Sequence, residues 1–149
     1  LEIARAQRSG APLSLIAVDL YHFKRINDNY GHDVGDLALQ AFADTARGQL
    51  RDGDVLCRMG GEEFAVLLPD TDADEAMQVA ERLRQAIVAT PVKVGRDVNE
   101  EGQLAYSASL GVTLVNAGET SLRLAIKRAD QGLYAAKEAG RNQAHWQPV

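Results

Sequence analysis

Two short apolar runs, Asp54-Val55-Leu56-Cys57 and Phe64-Ala65-Val66-Leu67-Leu68, flank the stretch Arg58-Met59-Gly60-Gly61-Glu62-Glu63, and Pro69 closes the second run. A Gly-Gly pair between strand-like runs predicts a tight β-hairpin, because the turns that match the twist of paired strands need positive φ, which glycine reaches without steric cost. With Gly60 and Gly61 as the two loop residues, Met59 faces Glu62 and Arg58 faces Glu63. The two glutamates then point to opposite sides of the sheet. Adjacent acids directly after a turn repel each other and are poor strand formers, so a hairpin alone does not account for them. Glu63 has two readings of equal weight, a cross-strand ion pair with Arg58 or a functional carboxylate. Glu62 has no such obvious partner.

The remaining pattern supplies the elements around this hairpin. Leu13 to Val18 is apolar and follows Pro12, which predicts a buried strand with Asp19 at its far end. Tyr21 to Asp36 is dense in aromatic, basic, Asn, Asp and Gly residues and predicts a turn-rich or short helical connection of the kind that binds ligands. From Asp36, the residues Leu39, Phe42, Ala43, Ala46 and Leu50 recur at helical spacing to about Arg51. Thr71-Asp72-Ala73-Asp74 resembles a capping box with Asp in place of Glu, ahead of a helix marked by Ala76, Val79, Ala80, Leu83 and Ile87 and followed by Pro91. Lys93 to Gln103 reads as a mobile hairpin or loop, and Leu104 to Val115 as a strand. Thr120 or Ser121 is placed to cap a last helix along Leu122, Ala125, Ile126, Ala129, Leu133 and Ala136, ending at Gly140. Gln143 to Gln147 reads as a closing edge strand. Leu1 to Arg8 reads as the tail of a helix stopping at Ser9-Gly10, so that the chain starts in mid-element. Strands and helices alternate around a hairpin, which predicts an α/β (α+β) fold: a central mixed, largely antiparallel sheet flanked by helices, in one domain over residues 1–149.

Composition narrows the function classes. A hydrophobic share of 46% with 25% charged residues is that of a globular protein, and 149 residues suffice for one sizeable core. The net charge of -5 argues against a general nucleic-acid or acidic-membrane surface, so an anionic ligand must be bound in a local pocket. Cys57, the single cysteine, lies in an apolar run and reads as a small core residue of a protein in a reducing compartment. No apolar stretch approaches the roughly 18 residues that cross a bilayer. The expectation is a cytoplasmic domain without direct membrane insertion, or the cytoplasmic piece of a larger sensor or membrane protein.

Asp19 and Glu62, brought from different strands to one sheet edge, form a pair of hard oxygen ligands suited to magnesium. Backbone amides at Phe23 and Lys24 and the cations Lys137 and Arg141 are placed to hold phosphates. For Lys137 and Arg141 a plainer reading is equally open, since basic residues near a helix C-terminus complement its dipole. Together these residues imply a metal-bound nucleoside triphosphate.

Gly60-Gly61-Glu62-Glu63-Phe64 resembles the signature of the GGDEF family of diguanylate cyclases. Asp19 through Asp36 is similar to the family's Asp-x-Asp-x-Phe-Lys-x-x-Asn-Asp-x-Tyr-Gly-His-x-x-Gly-Asp block. Ala129 through Asn142 matches its Ala-Asp-x-Ala-Leu-Tyr-x-Ala-Lys-x-x-Gly-Arg-Asn block, so the resemblance covers nearly the whole chain. It implies a nucleotidyl-cyclase-like palm fold and the condensation of two GTP into cyclic di-GMP with loss of two pyrophosphates by two-metal phosphoryl transfer, in a homodimer. By position, Asp19, the Leu20 carbonyl and Glu62 would bind two magnesium ions, or manganese in their place. Asn27 and Asp36 would bond the guanine edge, and Phe23, Lys24, Lys137 and Arg141 the β- and γ-phosphates. Glu62 or Glu63 would assist deprotonation of the attacking hydroxyl.

Arg51-Asp52-Gly53-Asp54 is similar to the family's Arg-x-x-Asp inhibitory site, which implies binding of the product cyclic di-GMP, with Arg82 completing the site from a second domain; taken alone, the motif also reads as a solvated helix end. Two features depart from the family pattern. Tyr21 stands at the second Asp of Asp-x-Asp, and an upstream Asp-x-Leu-Thr-x-Leu-x-Asn-Arg segment is absent. The rival to an active, product-inhibited cyclase is a catalytically silent receptor for cyclic di-GMP or GTP. A plain dimerisation domain would leave Glu62, Lys137 and Arg141 unexplained.

Overall fold

The structure, a computed structural model, describes residues 10–116, 118–119 and 121–149. The helix tail expected at Leu1 to Arg8 and a cap at Thr120 lie outside the described residues. In chain order the elements are β1 (Leu13–Tyr21), α1 (Phe23–Tyr30), α2 (His32–Arg47), β2 (Val55–Gly60), β3 (Glu63–Pro69), α3 (Ala73–Ala89), β4 (Val92–Lys93), β5 (Gln103–Leu104), β6 (Ser107–Leu114), α4 (Arg123–Glu138) and β7 (Ala144–Trp146).

The continuous apolar run of β1 has the composition of a strand covered on both faces, and all of its residues but Tyr21 are buried. It is the middle strand of a sheet ordered β2-β3-β1-β6-β7. Every pair in that sheet is antiparallel except β6 with β7. Alternation along β1 divides the core. Ile16, Val18 and Leu20 join Phe42 and Ala46 of α2 and Ala80, Leu83 and Ile87 of α3 on one face. Leu13, Leu15 and Ala17 join Ala125, Ala129 and Leu133 of α4 on the other. Asp19 continues the second series, which turns its carboxylate to the α4 side.

Helix α4 meets the sheet at backbone distance. A Cβ on Gly111 would lie 1.9 Å from the Ala129 carbonyl oxygen and 2.3 Å from the Leu133 nitrogen, and one on Gly132 would lie 2.9 Å from the His145 carbonyl oxygen. Two missing side chains therefore set how closely the helix packs.

Several boundaries differ from the sequence reading. α2 begins at His32 rather than Asp36 and ends at Arg47. The capping box lies one residue later than expected, with Asp72 as N-cap and Glu75 as its partner: Glu75 N–H donates to Asp72 Oδ1 at 2.9 Å and Asp72 N–H to Glu75 Oε1 at 3.2 Å. The true box has the usual Glu at its third position, which explains why it wins over Thr71. α4 starts from Leu122 without a side-chain cap, one residue beyond Ser121. The segment read as a hairpin or loop is a hairpin of β4 with β5, in which Asn99 Oδ1 accepts from Gly102 N–H at 2.7 Å. Cys57 is exposed rather than a core residue, because β2 is the outermost strand, beyond β3.

Replacing Gly111 by Ala is expected to lower stability by about 3 kcal/mol through overpacking against rigid backbone. Gly53→Ala, where a Cβ would meet nothing within 4 Å, is the control. Urea unfolding of the two variants checks this, and equal midpoints would show that α4 can move away from the sheet.

Candidate functional site

The hairpin turn is shifted by one residue from the predicted one. Arg58 pairs with Phe64 and Gly60 with Glu63, with a bulge at Met59, so the loop residues are Gly61 and Glu62. The extra residue in β2 also breaks the expected facing of Arg58 and Glu63. Instead of a cross-strand ion pair, Arg58 Nε and Nη2 donate to the Gly61 carbonyl oxygen at 3.0 and 2.8 Å. Gly60 and Gly61 both have positive φ, 155° and 54°, as the turn requires. Leu20 N–H donates to the Glu62 carbonyl oxygen at 3.1 Å, which ties the turn to the end of β1.

Where β1 ends, the turn, the start of α1 and the end of α4 enclose a cavity of about 540 Å³. Of the residues singled out in the sequence, Asp19, Leu20, Phe23, Lys24, Glu62, Lys137 and Arg141 line it. Lys137 Nζ forms an ion pair with Asp19 Oδ2. The first turn of α1 presents N–H groups that have no partner within the helix, and its N-cap, His22 at φ 77°, supplies no side-chain cap. A helix start beside Lys24, Lys137 and Arg141 is a place for phosphate.

Asn27 and Asp36 are not among the residues that line this cavity. The Asn27 side chain lies over Gly35, the residue before Asp36, where a Cβ would fall 1.7 Å from its Oδ1. His22, Arg25, Asp28 and Asn29 also line the cavity; in the sequence only the polar density of this block pointed to them.

Glu62 and Glu63 line different hollows, although the expected alternation of two strand residues does not apply, since Glu62 is in the turn. Glu63 lines a separate hollow of about 80 Å³ with Asp130, which the sequence reading missed although it sits two helical turns before Lys137 on α4. Burial holds the Glu63 carboxyl above the usual carboxylate range, with the negative charges of Asp19 and Asp130 adding to this and Lys137 opposing it. Burial likewise raises Asp130, with Lys137 opposing and Asp19 adding. Both residues are exposed as a whole, and the hollow is where their carboxyls lose water.

Arg51, Asp54 and Arg82 of the same chain line a second cavity of about 150 Å³ with Thr71. The Arg51 backbone N–H donates to Asp54 Oδ2 at 2.8 Å, and Arg51 Nη2 donates to Thr71 Oγ1 at 2.7 Å and to the Pro69 carbonyl oxygen at 2.9 Å. The Asp54 side chain is 3% exposed, and its Oδ1 accepts no hydrogen bond among the described residues, Arg51 Nη2 standing 3.9 Å away. Nothing in the sequence marked Thr71 for this place.

Residues 1–143 match the family model described as diguanylate cyclase, GGDEF domain. The chain is 43% identical over 141 residues to the diguanylate cyclase DgcP of Pseudomonas aeruginosa, covering 95% of this chain but 20% of that protein. It therefore spans about a fifth of that relative. Among solved structures, the GGDEF domain of DgcB from Caulobacter crescentus in complex with c-di-GMP has a TM-score of 0.87 at 32% identity, covering 97% of this chain and 83% of that one. The active GGEEF domain of a diguanylate cyclase from Vibrio cholerae has a TM-score of 0.85 at 34% identity, covering 98% and 89%.

The raised Glu63 and Asp130 carboxyls have a pH signature. A carboxyl whose pKa is raised by folding favours the folded state at low pH, and that contribution is lost as pH rises through the folded value. Asp130→Asn is therefore expected to melt higher than the parent at neutral pH, the difference vanishing below the ordinary carboxylate pKa of about 4. Thermal melts of both proteins across pH test this; a constant difference would place its cause elsewhere.

Proposed function

The chain belongs to the GGDEF diguanylate cyclase family, and from that premise we propose that it condenses two GTP into cyclic di-GMP, with two pyrophosphates released and each domain of a homodimer presenting one GTP. The observation that carries this reading is one cavity lined by the Asp19 and Glu62 carboxylates, the Leu20 backbone, the start of α1 and the cations Lys24, Lys137 and Arg141.

The donor set fits magnesium, or manganese in its place. Among the described residues no cluster of three or more His, Cys, Asp or Glu side chains could hold a metal, and Mg2+ commonly takes only one or two carboxylates, leaving its other positions to water and phosphate oxygens. Asp19, Glu62 and the Leu20 carbonyl would hold it. Two such ions, when bound, would supply the positive charge that acidifies the attacking 3′-hydroxyl and stabilises the leaving pyrophosphate.

The chain's own groups do the rest. The N–H groups at Phe23 and Lys24 take β- and γ-phosphate oxygens at the helix start. Lys137, exchanging its bond to Asp19 for phosphate, and Arg141 neutralise charge as it moves to the leaving group. Asn27 and Asp36 orient the guanine. Of the two acids, Glu62 is the better placed to take the 3′-hydroxyl proton, because it lines the cavity and Glu63 does not.

In this reading Arg51 and Asp54 form the inhibitory site, and Arg82 of a second domain completes it. Guanine N–H groups of cyclic di-GMP would satisfy the buried Asp54 carboxylate, and Arg51 and Arg82 would meet guanine or phosphate oxygens. The reaction is assigned to the cytoplasm; among the described residues no helix is long and apolar enough to cross a membrane. A receptor without turnover is the second reading, favoured by Tyr21 at the position of an acidic residue in the family pattern.

Incubation of the purified domain with GTP and magnesium over a range of protein concentrations is expected to yield cyclic di-GMP at a rate rising faster than linearly with protein. Glu62→Gln should lower turnover by at least about 100-fold; unchanged turnover would sink the metal assignment. Arg51→Ala should keep or raise turnover while losing product inhibition. No product at any concentration, with cyclic di-GMP still bound, would establish the receptor.

A further inference from the structure

Tyr21 is the one exposed residue of β1, 39% accessible at its end, and its ring is engaged by two cavity residues. The guanidinium carbon of Arg141 lies 4.6 Å from the ring centroid, and the His22 ring centroid lies 3.9 Å from it at an interplanar angle of 37°. All three line the main cavity. Arg141 is also held at its backbone, in the left-handed region at φ 64°, with its N–H donating to the Ala136 carbonyl oxygen at 2.9 Å.

We propose that Tyr21 is a positioning residue for the triphosphate, fixing the Arg141 guanidinium at the cavity through a cation–π contact. A ring face attracts a guanidinium through its quadrupole and occupies none of the five N–H donors. A carboxylate at the same place would pair with Arg141, occupy those donors and cancel its charge. With Tyr21 the arginine is held in place at both ends, with its donors free to take phosphate oxygens. The cost of ordering a long side chain is thereby met before the nucleotide arrives. Tyr21 thus acts on affinity for the β- and γ-phosphates and touches neither the guanine nor the metal.

Because this assignment rests on the phosphate-binding role proposed for Arg141, the test separates the two. The probe is 3′-deoxy-GTP with magnesium, which lacks the hydroxyl needed for condensation, titrated by calorimetry against the wild-type domain and its variants, with GMP as the comparison ligand. Tyr21→Leu is expected to weaken 3′-deoxy-GTP binding by roughly 3- to 20-fold, the range of a cation–π contact, and to leave GMP binding unchanged. Tyr21→Phe should retain wild-type affinity. In an Arg141→Ala background Tyr21→Leu should have no further effect, and Tyr21→Gln repeats the comparison should the Leu variant not fold. If Arg141→Ala weakens binding and neither Tyr21→Leu nor Tyr21→Gln does, the positioning role is overturned while the phosphate site stands. An equal loss in both backgrounds overturns it too, since Tyr21 would then act without Arg141. Wild-type affinity in Arg141→Ala would overturn the phosphate site itself.

Discussion

The approach of α4 to the sheet over Gly111 and Gly132 is the constraint on which the site depends. A helix carried on ordinary side chains would stand further off, and every residue on its inner face would move with it. At backbone distance, the last turns of α4 bring Lys137 to Asp19 and Arg141 to Tyr21. Helix position is thus fixed by steric exclusion in the core, which is stiff, rather than by the polar contacts at the rim, which exchange with water. The site inherits its geometry from two absent methyl groups.

Carboxylates and cations are crowded together beside that helix. Burial raises Glu63 and Asp130, and the charge of Asp19 adds to both. In the structure Lys137 offsets part of this by pairing with Asp19. On the proposed function a divalent cation would offset more and would release Lys137 toward an anionic ligand, so that metal and nucleotide would complete the site together. The cavity that Arg51 lines differs from the main one in its hydrogen bonding. There Arg51 already has its hydrogen bonds to Pro69 and Thr71, for which a ligand would have to exchange.

Most of the architecture was legible because period and burial coincide. β1 reads as a continuous apolar run, and α3 and α4 as apolar stripes, since each packs over its whole length against the core. The errors fall where two neighbouring residues can play one part. Gly60 and Gly61 both accept positive φ, so the turn slid by one residue once the bulge at Met59 absorbed the extra length. Thr71 and Asp72 can both cap, and the choice fell to the position of Glu75. The start of α2 was missed because His32 to Gly35 offers Val34 as its only large apolar residue. Cys57 followed the rule for central strands and sits on an edge. Asp19, Glu62, Lys137 and Arg141 stood out in the sequence because each lies at or near the end of an element, where a polar group has less of a packing role, and the structure places all four around one cavity. Asp130, Thr71 and His22 did not stand out, since their place in the site comes from tertiary contact.

Both margins of the sheet are blunted. β7 has three residues, and β2 runs into a bulge and a turn clamped by Arg58. Neither offers a long ladder of free backbone groups on which another strand could zip. The sheet is therefore poorly suited to continue into a second copy of the chain along either margin. A neighbour that does dock has to be held by side chains, which can let go one at a time where a shared strand would have to unzip.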